Sequence, residues 1–237
     1  MSELAITLPR KKIPIQVCKE RIAKFVREDA YSAYDALRLY FDLPPNTLTD
    51  EHIYALNAAM RARSSREAWS HFIGRELEAL RRIPLDLDLV DSSDAEIEPG
   101  LTALDEIVGE ISAKKGLGDM AASKALHLLR PRFVAISDSY VRVGLGIEGL
   151  YRTDVRRLRG VQYGMRAVGR DPNNTAPIAE LVAYANTLEP VTCTWGRYKG
   201  RTAPVRLTKL RILDILLWSD RAGDEGHTTW AGNTAHP

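Results

Sequence analysis

With 237 residues and 45% hydrophobic content, the chain can bury a sizeable core as one large domain or two small ones. No apolar run approaches the roughly 18 residues of a membrane span. The first fifteen residues set Arg10, Lys11 and Lys12 between two prolines and lack a signal-peptide core, so a cytoplasmic location is the default expectation. The two cysteines, Cys18 and Cys193, are too few for a zinc ribbon or a four-cysteine iron–sulfur cluster, and buried free thiols are expected; no metal or cofactor is implied.

The net charge of +2 is unevenly spread. Asp91 to Glu110 holds seven acids and no Lys or Arg, whereas Ser112 to Arg170 holds twelve Lys/Arg and four Asp/Glu. Such a reversal suits a nucleic-acid face, and it equally suits solvated helix surfaces.

Helix periodicity dominates and strand signals are nearly absent, so the expected fold is all-α, with about eight to ten helices. Thr49 to Arg63 places Ile53, Leu56 and Met60 on one face, with Thr47 or Thr49 as cap. Ser65 to Ile83 aligns Trp69, Phe72, Ile73, Leu77 and Leu80. The alternation Leu85-Asp86-Leu87-Asp88-Leu89 follows a proline and reads as an extended connector. Leu101 to Ser112 is helical, and Asp119 to Arg130 is a helix stopped by Pro131. Ser139 to Leu145 is a short helix that Ser137 or Asp138 can cap. Thr153 caps a helix carrying Val155, Leu158, Gln162 and Met165. Thr175 with Pro177 opens another through Leu188, and Leu207 to Trp218 is the last amphipathic segment. Residues 1–29 are expected to pack with a C-terminal lobe of 150–219, residues 30–149 to form the other lobe, and 220–237, with Trp230, to be a disordered tail.

Between the helices lies Gly116-Leu117-Gly118, and twenty residues later Ser137-Asp138-Ser139-Tyr140-Val141-Arg142-Val143. A glycine turn lets backbone approach another molecule closely, and the amides opening the next helix can hold a phosphate. Lys114 and Lys115 add attraction for a nucleic-acid backbone. Each piece alone also reads as an ordinary helix C-cap or N-cap.

Together the two pieces resemble the helix-hairpin-helix DNA glycosylase superfamily. Its hairpin reads roughly L-P-G-V-G-x-K-T-A, followed about twenty residues later by V-D-T-H-V-x-R-V. The match covers about 30 residues. It implies two helical lobes with a helix-hairpin-helix motif and an interlobe cleft, double-stranded DNA as partner, and Asp138 as the catalytic carboxylate. Gly116, Gly118, Lys114 and Lys115 would hold the DNA backbone, with Arg142, Arg152, Arg156 and the helically spaced Arg159 beside them. Trp69, Tyr140, Tyr151 and Tyr163 are candidates to hold an extruded base, and each also suits helix packing. Members that cut the strand carry a lysine where Met120 stands, so base removal without lyase chemistry is implied. Lys124, one turn further on the same face, is the candidate for a displaced amine. Trp195-Gly196-Arg197-Tyr198-Lys199-Gly200-Arg201 mixes aromatic and basic residues as a DNA-contacting or pocket-closing loop would. The expectation is a monofunctional DNA glycosylase, acting in repair or against foreign DNA with modified bases; a non-catalytic DNA-binding module is the alternative. A second resemblance, through Ala122-Ser123-Lys124-Ala125-Leu126, Arg130-Pro131-Arg132-Phe133 and Leu210-Arg211-Ile212-Leu213-Asp214…Trp218, is to an uncharacterised bacterial family and implies no activity.

Overall fold

The N-terminus departs at once from an all-α chain. In the computed structural model, which describes residues 4–28, 31–194 and 196–224, strands β1 (Ala5–Leu8) and β2 (Lys11–Pro14) form an antiparallel hairpin. Ile6, Leu8 and Ile13 point into the core, Pro9 and Arg10 make the turn, and Lys11 and Lys12 open β2 with their side chains exposed. Helix α1 (Ile15–Arg27) follows directly. A π-helical turn (Tyr31–Asp35) and α2 (Leu37–Tyr40) lead to α3 (Asp50–Ala58), capped by Thr49 with His52 reaching back to the Thr49 amide.

Two helices end sooner than their periodicity suggests. The α3 helix stops at Ala58, and Arg61 and Arg63 then take left-handed backbone, φ +47° and +52°. The Ser65–Ile83 pattern is broken at Gly74, φ +77°. There α4 (Arg66–Trp69) gives way to a bridge between Leu48 and Ile73 and then a 3-10 turn (Glu78–Arg82). The apolar face survives, with Trp69, Phe72, Leu77 and Leu80 buried, because tertiary packing and not helix continuity places them.

Helix α5 (Asp94–Ser112) starts seven residues before the expected Leu101, at a capping box in which Ser93 and Glu96 satisfy each other's amides. The chain turns at Gly116, φ +87°, and re-enters helix as α6 (Asp119–Leu129). An apolar run, Phe133 to Ile136, crosses the interior to α7 (Ser139–Leu145), which ends at left-handed Gly146. Helix α8 (Asp154–Arg170) is capped by Thr153. Helix α9 (Pro172–Asn186) opens at Pro172 behind the Asp171 cap, not at Thr175. A two-residue ladder, β3 (Val191–Thr192) with β4 (Thr202–Ala203), precedes α10 (Lys209–Asp224).

The described residues are therefore mostly helical with two small sheets. The α5, α6 and α8 helices pack on one another, α7 packs on α8 and α10, and α1 packs on α9 and α10. The Asn174 side-chain amide pairs with both backbone groups of Thr7, fastening β1 to α9. One continuous cluster of buried side chains runs from Ile6 to Leu217, and both cysteines are buried free thiols. Arg130 is buried with its guanidinium on the carbonyls of Pro45, Leu80 and Ile83 and on Asn46, which locks the loop before α3 and the 3-10 turn to the end of α6. Of the expected tail, α10 takes in the backbone to Asp224; 225–237, with Trp230, lie outside the described residues, as does Trp195. Among the described residues no helix is long and apolar enough to cross a membrane.

Candidate functional site

A cavity of about 420 Å³ lies beside the start of α7. Its walls come from the loop after α3 (Ala59 to Arg63), from Met120 and Lys124 on α6, from Asp138 to Tyr140 at the head of α7, and from Asp214 and Trp218 on α10. The sequence sets these walls by three devices. Buried Ser137 donates its amide to Ser123 Oγ (2.9 Å) and its hydroxyl to Asp119, fixing the approach to α7. Gly144 lets α7 lie against α10, since a Cβ there would stand 2.8 Å from Leu217 Cδ2. Left-handed Arg61 and Arg63 turn the post-α3 loop over the opening.

Asp138 has two roles at once. Its Oδ1 accepts from the Tyr140 amide (3.0 Å), capping α7, and its Oδ2 faces the Lys124 ammonium (3.4 Å). Lys124 is almost wholly buried and also donates to the Met60 carbonyl (2.9 Å). Burial pushes the Lys124 pKa down, and the Asp138 carboxylate opposes that shift.

Behind this pair lies a second charged unit. Arg211 is fully enclosed, its guanidinium on both Asp35 oxygens (2.7 and 3.0 Å), on Asp214 Oδ2, and over the rings of Phe25 and Tyr34. Asp214 is 2% exposed, and its Oδ1 has no hydrogen-bond partner. Burial raises the Asp214 carboxyl to about 7; Arg211 works against the shift, Asp138 and Asp35 with it. Tyr140 and Trp218 meet edge to face, with centroids 6.0 Å apart.

Several sequence candidates lie elsewhere. Trp69 is in the core, donating to Ser64 Oγ (2.9 Å) and packed on Phe72. Tyr151 covers Gly160 on α8, and Tyr163 is half exposed beneath Arg159. Of the four aromatic candidates, Tyr140 alone lines the cavity. Asp214 and Trp218 are among the lining residues that sequence reasoning did not single out as site residues. Their signal is a lone carboxylate inside the apolar run Leu213-Asp214-Ile215-Leu216-Leu217, four residues before a tryptophan.

At the turn, Lys114, Lys115 and Gly116 are exposed. The first amide of α6 is not open for a phosphate, because Asp119 N–H donates to Asp154 Oδ1 (3.2 Å). Nor does the Asp119 side chain cap α6; it is buried against Arg142 (2.9 Å) and Arg157 (3.2 Å). Arg142 is thereby held within the fold, while Arg152 and Arg156 are exposed. Arg159 pairs with Asp105 and Glu98 of α5, and Arg166 and Arg170 with Asp94. Part of the charge reversal seen in the sequence is thus neutralised between α5 and α8. The 196–201 loop lines no part of the cavity: Tyr198 is buried among Tyr40, Phe41 and Tyr54, and Arg197 and Arg201 lie over Tyr54 and Phe41.

A family model matches residues 20–221, a span that includes every cavity-lining residue. The chain belongs to DUF6308, a family of unknown function. This DUF6308 protein matches no curated protein and no solved structure. Family membership agrees with the resemblance carried by the Ala122–Leu126, Arg130–Phe133 and Leu210–Trp218 motifs, and brings no activity with it. Among the described residues of the DUF6308 chain, no group of three His, Cys, Asp or Glu side chains is placed to hold a metal ion.

Proposed function

We infer that this chain is a monofunctional DNA glycosylase, which extrudes a damaged or modified base from the duplex and hydrolyses its bond to the sugar. The observation that carries this reading is the Lys124–Asp138 pair, 3.4 Å apart on the wall of a cavity and following a glycine turn between two helices. The cavity volume falls within the roughly 300–1,000 Å³ of ligand pockets. Its walls come from both halves of the chain, as a site between two helical lobes requires.

A base within duplex DNA is out of reach, so the nucleotide must swing out. Tyr140 and Trp218 offer aromatic faces or edges to it. As the bond from C1′ to the base nitrogen breaks, its electron pair leaves with the base and positive charge grows on the sugar. The Asp138 carboxylate stabilises that charge and takes a proton from the attacking water. Lys124, 3.4 Å from Oδ2, orients this carboxylate. Met120 in the lyase position has no amine, and the Lys124 amine is engaged by Met60 O and Asp138. Hydrolysis without strand cleavage follows. The exposed Lys114, Lys115, Arg152 and Arg156 would hold phosphates by charge, independent of sequence.

One observation favours the alternative of a DNA-binding module without catalysis: Asp138 caps α7, a role that needs no chemistry. Incubating the full chain with duplexes carrying a panel of alkylated, deaminated and phage-type modified bases, then treating with alkali, separates the two. The glycosylase reading expects alkali-labile abasic sites in at least one duplex. Binding with no abasic sites in any would leave only the binding module.

A further inference from the structure

Asp214 is the group the mechanism above does not use. Asp214 lines the cavity; its Oδ2 is held by Arg211, while its Oδ1 is buried without a donor. An unsatisfied buried carboxylate oxygen is costly and rare in native proteins. The cations nearby do not serve it: Arg211 is shared between Asp35 and Asp214 Oδ2, and Lys124 between Met60 O and Asp138. The missing donor is therefore expected from whatever fills the cavity. That occupant meets two carboxylates, Asp138 and Asp214, and two aromatic rings, with Arg61 and Arg63 on the loop across from them. A flat heterocycle with an amino edge satisfies both features. One whose edge carries an imide N–H between two carbonyl oxygens sets those oxygens against the carboxylates.

We propose that Asp214 reads the base: its Oδ1 accepts a hydrogen bond from an exocyclic amino group, so the cavity takes amino-bearing bases of the cytosine or adenine type over uracil or thymine types. The proposal rests on the base-excision reading of the cavity and names its substrate class. An ionised acceptor is required. The groups facing Asp214 are Arg211 on its own helix, Asp35 from the turn before α2, Asp138 from α7 and Lys124 from α6. Burial raises the Asp214 carboxyl to about 7, so ionisation grows between pH 6 and 8 and the preference for amino-bearing bases grows with it.

The test is calorimetric titration of the full-length protein with free cytosine, 5-hydroxymethylcytosine and adenine, against uracil, 5-hydroxymethyluracil and thymine, at pH 6 and pH 8. The amino-bearing bases should bind about ten- to a hundredfold more tightly, the margin of a hydrogen bond to a charged group, and more so at pH 8. Asp214→Asn should erase both the preference and its pH dependence, with Arg211 still paired to Asp35. Should that variant not fold, the wild-type base comparison and pH profile decide alone. Equal affinity for the two classes, or no base bound up to the solubility limit, overturns the proposal. Preferential binding of amino-bearing bases without excision from any DNA overturns the glycosylase reading and leaves this one standing. Excision that favours uracil or thymine types overturns this one alone.

Discussion

At the scale of single residues, the site is a chain of buried charges in which Lys124 pairs with Asp138 and Arg211 is shared between Asp35 and Asp214. Lys124 is the member with the most to reveal, since its amine is buried, lowered in pKa and 3.4 Å from Asp138. Lys124→Met should slow base release by about tenfold or more by freeing Asp138 to rotate, without changing the product; single-turnover kinetics would measure this. Borohydride should trap little protein on DNA, and strong trapping that disappears in Lys124→Met would show the amine acting as nucleophile. His127 offers a pH test away from the chemistry. Burial, aided by Arg211, drops its pKa from the ordinary 6.5 to about 3. The unfolded chain therefore binds a proton below pH 6.5 that the folded chain refuses, and this destabilises the fold progressively from pH 6.5 down to about 3. Replacing His127 with Gln should flatten the acid limb of unfolding free energy against pH by about 1.4 kcal/mol per pH unit. An unchanged slope in urea titrations would contradict the burial argument.

At the scale of elements, what was legible in the sequence was what local chemistry decides. The turn at Gly116 to Gly118, the Asp138 and Thr153 caps, and the stop before Pro131 are each fixed by a few neighbouring residues, and each stands where expected. The β1–β2 hairpin was not legible, because four-residue strands signal little and their stability comes from Asn174, over 160 residues away. The early ends of α3 and α4 were hidden for a related reason: left-handed Arg61 and Arg63 are held by tertiary context, and helix propensity does not register it. Asp138 and Lys124 could be picked out through the motif resemblance that spans the turn and the head of α7, whereas Asp214 joins them only through the packing of α7 on α10. That packing can be probed directly. Gly144→Val would press on Leu217 and should cost about 1–3 kcal/mol in chemical denaturation, with loss of base binding as α7 shifts. Full stability and binding would mean that the close approach of the two helices does not shape the cavity.

At the scale of the whole molecule, three acids of α5 (Asp94, Glu98 and Asp105) pair with Arg159, Arg166 and Arg170 of α8, while Lys114, Lys115, Arg152 and Arg156 stay exposed to solvent. Lys114→Glu with Lys115→Glu should weaken binding to unrelated duplexes alike and flatten the dependence of affinity on salt, as fewer counterions are released. Unchanged affinity and salt slope would place the DNA face elsewhere. In the proposed reaction the cavity breaks the bond between sugar and base through Asp138, and the decisive measurement is base release by the Asp138→Asn variant. Asparagine caps a helix nearly as well as aspartate, so folding and DNA binding should persist. Loss of the charge that steadies the sugar cation should lower single-turnover base release by roughly a hundredfold or more, on the order of 3 kcal/mol. Base release by Asp138→Asn at the wild-type rate would contradict the account.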